Sequence, residues 1–144
     1  MLKKYVRLHA LAALFLLYGL RFAYGASYND GTYVAVSGKD DRGAYGEVSL
    51  TIEQNKITDC VFVTYQKDGK IKGEDYGKVN GIVANADYYD KAQLAVNAMK
   101  TYANQLVETQ KLGDVDVIAG ATVAYDQFVE AAEEAFNQAK KGKK

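Results

Sequence analysis

Thr122 is the residue on which chemistry can first be built. It stands in DVDVIAGATVAYDQF (114–128), after Gly120 and Ala121 and six residues past Asp116, where a short apolar stretch gives way to a helical pattern. A helix start leaves backbone N–H groups without partners and adds partial positive charge from the aligned peptide dipoles. A phosphate fits such a place. Gly120 has no side chain, so backbone and ligand can come close. Ala121 is too small to shield the hydroxyl beside it. A hydroxyl there can bond covalently to a phosphate, while N–H groups from about Val123 onward hold the phosphate oxygens. The structural alternative is a plain helix start, since threonine is a common N-cap. Spacing alone favours the N-cap.

Few other residues offer chemistry. Cys60 is the only cysteine, so no intramolecular disulfide can form. It lies far from the apolar N-terminal run, and its neighbours, TDCVFV, read as a strand in which it is a small core residue. The only histidine, His9, falls in that N-terminal run. The rest of the chain therefore offers no histidine for a Ser-His or Cys-His pair or a histidine metal site.

The elements that must position Thr122 follow from periodicity. MLKKYVR is a basic start, LHALAALFLLYGL is too short to span a bilayer, and Ala23 and Gly25 have the spacing of a cleavage site. Residues 1–25 are read as a secretory signal cleaved after Gly25, with an uncleaved anchor as the alternative. Without the four basic residues of that leader, 14 basic residues stand against 18 acidic ones, a net charge of −4. That balance argues against nucleic acid as a partner. Residues 26–140 form one domain with a real core, and 141–144 belong to a basic, solvated tail.

Within that domain, DGTYVAVS (30–37), EVSLTIE (47–53) and KITDCVFVTY (56–65) read as strands, with Gln54 and Asn55 as a tight turn. On the third strand, Ile57, Val61 and Val63 are assigned to one face, Cys60 and Phe62 to the other, with both faces of its second half covered. Residues 38–46 and 66–81 read as polar loops. From about Asp87 the period becomes helical, with Ala92, Ala95, Met99, Tyr102, Ala103 and Leu106 inward and Gly113 as the stop signal. A last helix runs from Thr122 to about Lys140, with Phe128, Ala132, Ala135, Phe136 and Ala139 inward. The expected fold is α+β: a small, mostly antiparallel sheet followed by helices packed on it.

DVIAGATVAYDQFVEAA resembles the flavinylation motif of the FMN-binding domain family. That family includes the flavin-bearing subunits of sodium-pumping quinone reductase and small exported FMN-binding proteins. Its pattern is an Asp, two residues, a small or hydroxyl residue, Gly-Ala-Thr, then often a residue and Ser or Thr; Asp116, Ala119, Gly120, Ala121 and Thr122 match its first part. DGTYVAV, GEVSLTIEQNKITDCVFV and KDGKIKGEDYGKVNG resemble the opening hairpin and loop of the small exported members. Ala119 stands where Ser or Thr is usual, and Ala124 replaces the later hydroxyl.

The resemblance implies FMN bound through a phosphoester on Thr122, installed by a separate exported flavin transferase that takes FMN from FAD. Gly120 and Ala121 would shape the turn, N–H groups from about Val123 would face the phosphate, and Asp116 would belong to the transferase recognition motif. Tyr125 would flank the site, and one of Tyr65, Tyr76, Tyr88 or Tyr89 would stack on the flavin ring. The function it implies is an exported redox carrier, periplasmic or in the cell envelope and soluble after signal cleavage. It would pass electrons from a membrane-bound donor to an extracytoplasmic acceptor. Two alternatives remain at this stage: a noncovalent FMN binder, and a flavin-free envelope interaction protein that keeps the fold.

Overall fold

Alternating apolar residues build a sheet of three strands, β1 (Gly31–Val36), β2 (Tyr45–Glu53) and β3 (Lys56–Tyr65), paired antiparallel in the order β1-β2-β3. The structure is a computed structural model describing residues 26–140, so the expected leader and the 141–144 tail lie outside the described residues. On β2, Val48, Leu50 and Ile52 alternate with Glu47, Ser49 and Thr51, and the three apolar side chains are fully buried. Gln54 and Asn55 join β2 to β3 with φ of 50° and 63°. Two consecutive positive φ values give the turn that matches the twist of paired strands.

The face assignment on β3 is corrected by a bulge. Thr51 pairs with Asp59, whereas Ile52 pairs with Ile57, which leaves Thr58 as an extra residue. One inserted residue reverses the alternation beyond it. Ile57, Cys60 and Phe62 are therefore buried together rather than on opposite faces. Val61 stays 49 % exposed and Val63 half-buried, so the second half of β3 is covered on one face only.

Helix α1 (Ala86–Thr109) starts at Asn85, whose side-chain oxygen accepts the Tyr88 N–H at 3.0 Å. It ends at Gln110, in the left-handed region at φ 61°, and not at Gly113. The Gln110 side chain accepts the Ile57 N–H at 2.9 Å and donates to the Ile57 carbonyl at 2.8 Å. β3 thus captures the helix end, and Gly113 falls in a single 3-10 turn, Leu112–Asp114.

Helix α2 (Thr122–Ala139) and α1 pack on the same face of the sheet, α1 against β3 and α2 against β1 and β2. Ala131, Ala132, Ala135 and Ala139 are fully buried and bring the α2 backbone close to the strands. A Cβ on Gly46 would meet the Phe62 ring at 2.7 Å and Gln127 Cβ at 3.0 Å, so β2 is bare where α2 crosses it. Tyr102, Phe128, Leu50, Ile52 and Leu106 fill the space between the layers. Each such side chain stabilises the fold by about 1.5–3 kcal/mol through burial. The result is the expected small, single-domain α+β fold. Among the described residues, no helix is long and apolar enough to cross a membrane.

Candidate functional site

The segment between the helices has little regular structure, yet it is held from three sides. Tyr102, buried on α1, accepts the Ile118 N–H at 3.1 Å and donates to the Ala121 carbonyl at 3.1 Å. Gln105, also on α1, accepts the Asp116 N–H at 2.7 Å. Tyr125, on the first turn of α2, donates to the Val115 carbonyl at 3.2 Å. Gly120 sits at φ 85°, and a Cβ there would lie 2.6 Å from Leu94 Cδ2. The conformation therefore favours glycine, and any Cβ would also require the end of the exposed Leu94 side chain to shift.

These ties set the start of α2. The cap position belongs to Ala121, which has no side-chain hydrogen bond to offer, and Thr122 is the first helical residue. The N-cap reading of Thr122 is thereby corrected. The Thr122 side chain is exposed, and its hydroxyl has no hydrogen-bond partner among the described residues. The first bond into the helix runs from the Tyr125 N–H to the Ala121 carbonyl at 3.0 Å. The N–H groups of Thr122, Val123 and Ala124 have no protein partner among the described residues.

A cavity of about 420 Å³ opens at this helix start. Gly120, Ala121, Thr122 and Val123 form one side, and Ala95 and Val96 of α1 form an apolar wall. Asp40, Arg42, Lys72 and Tyr76 give it a polar lining as well. The 40–44 loop is fixed by Asp40 Oδ1, which accepts the N–H groups of Arg42 and Ala44 at 2.9 Å each. Gln127, buried on α2, donates to the Ala44 carbonyl at 3.2 Å and to Asp40 Oδ2 at 3.4 Å. Lys72 is placed by its N–H, which donates to the Thr64 carbonyl at 2.8 Å at the end of β3. Its ammonium lies 5.0 Å from the centre of the Tyr76 ring. Burial lowers the pKa of Lys72 and the Arg42 charge adds to this, while Asp40 and Tyr88 oppose it. A second cavity of about 580 Å³ shares Arg42, Lys72 and Tyr76 with the first and extends to Tyr88.

Residues 43–137 match the family profile described as the FMN-binding domain, which takes in β2, β3, α1 and all but the last two residues of α2. The chain belongs to the FMN-binding domain family. FMN is accordingly its cofactor. The FMN-binding domain here is also similar in structure to the crystal structure of the CPE2226 protein from Clostridium perfringens. The TM-score is 0.64 at 25% sequence identity, over 81% of this chain and 93% of that one. No curated protein matches the chain.

The FMN-binding domain offers what FMN requires. Three unpartnered N–H groups at a helix start suit its phosphate, and Ala95 and Val96 give an apolar wall for the flavin body. Of the residues singled out in the sequence, Gly120, Ala121, Thr122 and Val123 are brought together on the cavity. Asp116, Ala119 and Tyr125 are not among its lining. Asp116 and Ala119 are exposed, while the Tyr125 ring packs at 5.4 Å against Tyr102 and braces the loop from behind.

Among the four candidate tyrosines, Tyr76 lines both cavities and Tyr88 the second. Tyr65 lies on the far face of the sheet, stacked on Tyr45 at 5.0 Å, where burial and Glu47 raise its pKa. Tyr89 donates its hydroxyl to the Glu74 carbonyl. Sequence reasoning missed Arg42, Lys72 and Gln127. Arg42 and Lys72 lie in segments read as polar loops, and the position of Gln127 on the buried side of α2 carried the only readable signal. Among the described residues, no cluster of side chains could hold a metal ion.

Proposed function

We propose that this FMN-binding domain is an exported electron-transfer flavoprotein whose FMN is attached covalently through Thr122. The observation that carries this reading is the state of Thr122: exposed, excluded from the cap, and followed by unpartnered N–H groups on one cavity. A threonine acting as the cap would turn its oxygen back onto the backbone, and Thr122 does not hold that position.

No side-chain base lies within hydrogen-bond distance of the Thr122 hydroxyl among the described residues. A hydroxyl without a side-chain partner suits attachment by a separate exported flavin transferase. In that reaction the Thr122 oxygen forms the new O–P bond to the FMN phosphate of FAD. The P–O bond between the two phosphates breaks, AMP leaves, and the hydroxyl proton passes to the transferase. The N–H groups of Thr122, Val123 and Ala124 would hold the phosphate oxygens, and Gly120 and Ala121 would keep the approach open.

Bound FMN supplies exchange of one or two electrons. The chain's own part is to hold it, shield one side with Ala95 and Val96, and leave the other accessible to a membrane donor and an extracytoplasmic acceptor. Asp116, exposed before the turn, is offered to the transferase. Covalent retention suits a protein working where lost FMN is not readily replaced.

The test is the intact mass of the denatured protein after co-production with an active flavin transferase. A gain equal to FMN less water, absent in Thr122→Ala, is the expected result. No gain, with a control substrate modified, sinks the covalent reading. Flavin released on denaturation then points to noncovalent binding, and a colourless protein to a flavin-free envelope role, for which Ala119 and Ala124 are the motive.

A further inference from the structure

We propose that Arg42 and Lys72 form a two-cation clamp for the FMN phosphate, so that they, with the start of α2, select the phosphorylated flavin over riboflavin. This rests on placing the phosphate at the start of α2. Both side chains line the same cavity as Thr122 and Val123. Neither forms an ion pair among the described residues, where the two ion pairs present are Lys70–Asp68 and Lys78–Asp75.

Two acidic residues share the cavity wall, and neither takes over that role. Asp40 has Oδ1 occupied by two backbone N–H groups and Oδ2 facing the Gln127 amide, so its carboxylate is committed to shaping the loop. Asp41 is exposed, where water satisfies it. The two cations repel each other, and Lys72 is also half-desolvated. Asp40 offsets part of this cost at Lys72 without forming an ion pair, and a bound anion would offset more of it. A guanidinium and an ammonium are the donors best matched to phosphate oxygens.

Position supports the phosphate over the flavin ring as the target. Lys72 is tied to Thr64, at the end of β3, and Arg42 to Asp40, which the Gln127 amide of α2 also reaches. Gln127 lies five residues, less than two turns, beyond Thr122 on the same helix. Arg42 and Lys72 thus line one cavity with Thr122 and Val123 of the first turn of α2, where the N–H groups are unpartnered. Lys72 also rests beside the Tyr76 ring at 5.0 Å, which holds the ammonium without neutralising it.

The experiment compares FMN with riboflavin, which lacks the phosphate. The chain is produced without a flavin transferase and titrated with each ligand by fluorescence quenching. The expected result is that the parent binds FMN more tightly than riboflavin. Arg42→Met and Lys72→Met should each weaken FMN binding roughly tenfold, in the range of a charge-assisted hydrogen bond, and leave riboflavin binding unchanged. Lys72→Arg should keep most of the FMN affinity. Arg42 is exposed, so its variant tests the clamp even if Lys72→Met folds poorly.

Equal losses for the two ligands would place the cations at the ring and overturn the clamp. So would a parent that does not distinguish FMN from riboflavin, or variants without effect. The mass gain on Thr122 is scored separately. A chain that is flavinylated but shows no phosphate discrimination refutes the clamp alone, whereas discrimination without a mass gain refutes only covalent attachment.

Discussion

The phenol of Tyr102 donates a 3.1 Å hydrogen bond to the carbonyl of Ala121 and so ties the middle of α1 to the residue before Thr122. The same oxygen accepts the Ile118 N–H at 3.1 Å, so one buried hydroxyl satisfies the backbone on both sides of Gly120. Tyr102→Phe keeps the ring against Phe128 and removes both bonds. The Ala121 carbonyl keeps the Tyr125 N–H, so the Ile118 N–H alone is left without its partner. That costs about 1–3 kcal/mol, which a denaturant titration will read. Because this loop sets Thr122, the variant should also accept flavin less well. Tyr125→Phe removes one partly buried bond and should cost less.

Gly120→Ala tests the turn itself. The added methyl meets Leu94 Cδ2 at 2.6 Å, and the φ of 85° is strained for any side chain. A loss of about 1–3 kcal/mol is expected, together with loss of flavin incorporation. Leu94→Ala in the same chain should restore only part of the stability, since it relieves the contact and not the φ. Full recovery in the double variant would mean that the backbone at Gly120 is not constrained.

Gln110 holds α1 to the sheet through both hydrogen bonds to Ile57. Gln110→Ala is expected to destabilise by about 1–3 kcal/mol, as three side-chain hydrogen bonds are lost at a left-handed position, the third being from Gln110 to the Val107 carbonyl at 2.6 Å. Gln110→Gly suits the φ of 61° and still loses the bonds. It should therefore be the milder of the two, and thermal melts of the pair separate backbone strain from hydrogen bonding.

Burial, with a smaller contribution from Asp59, pushes the Cys60 thiol up from 9.0 to about 12. Below pH 9 the thiol is protonated in both folded and unfolded chains, and this stabilising term is fully present. As pH rises from 9 toward 12 the unfolded chain loses a proton that the folded chain keeps. Stability then falls by up to ~1.4 kcal/mol per pH unit. Tyr65 and Tyr102, also raised, act in the same direction and remain in Cys60→Ala, so the difference between parent and variant isolates the thiol. At pH 8 a thiol reagent should label Cys60 only after unfolding.

The elements of this fold were legible because they are set by neighbours in the chain. Alternation at Val48, Leu50 and Ile52, the Gln54–Asn55 turn, and the spacing of Met99, Tyr102 and Leu106 announce strand, turn and helix through their 2.0 and 3.6 periods. The turn and helix start at Gly120, Ala121 and Thr122 were legible for the same reason, while their reading as a cofactor site came from the family resemblance and not from spacing. Ile57 and Cys60 were placed on opposite faces because strict alternation cannot show a bulge, which exists only in the pairing of two strands.

The sequence by itself determined the sheet, the helices and the position of Thr122 at the start of α2. Only the tertiary structure decided that Ala121 rather than Thr122 caps α2, because α1 holds that loop through the Tyr102 hydroxyl. Only the tertiary structure brought Arg42 and Lys72, 80 and 50 residues before Thr122, onto one cavity with it. The physical reason is range. Backbone periodicity acts over a few residues, whereas a charge and a helix terminus meet only when the sheet and two helices have closed around a common core.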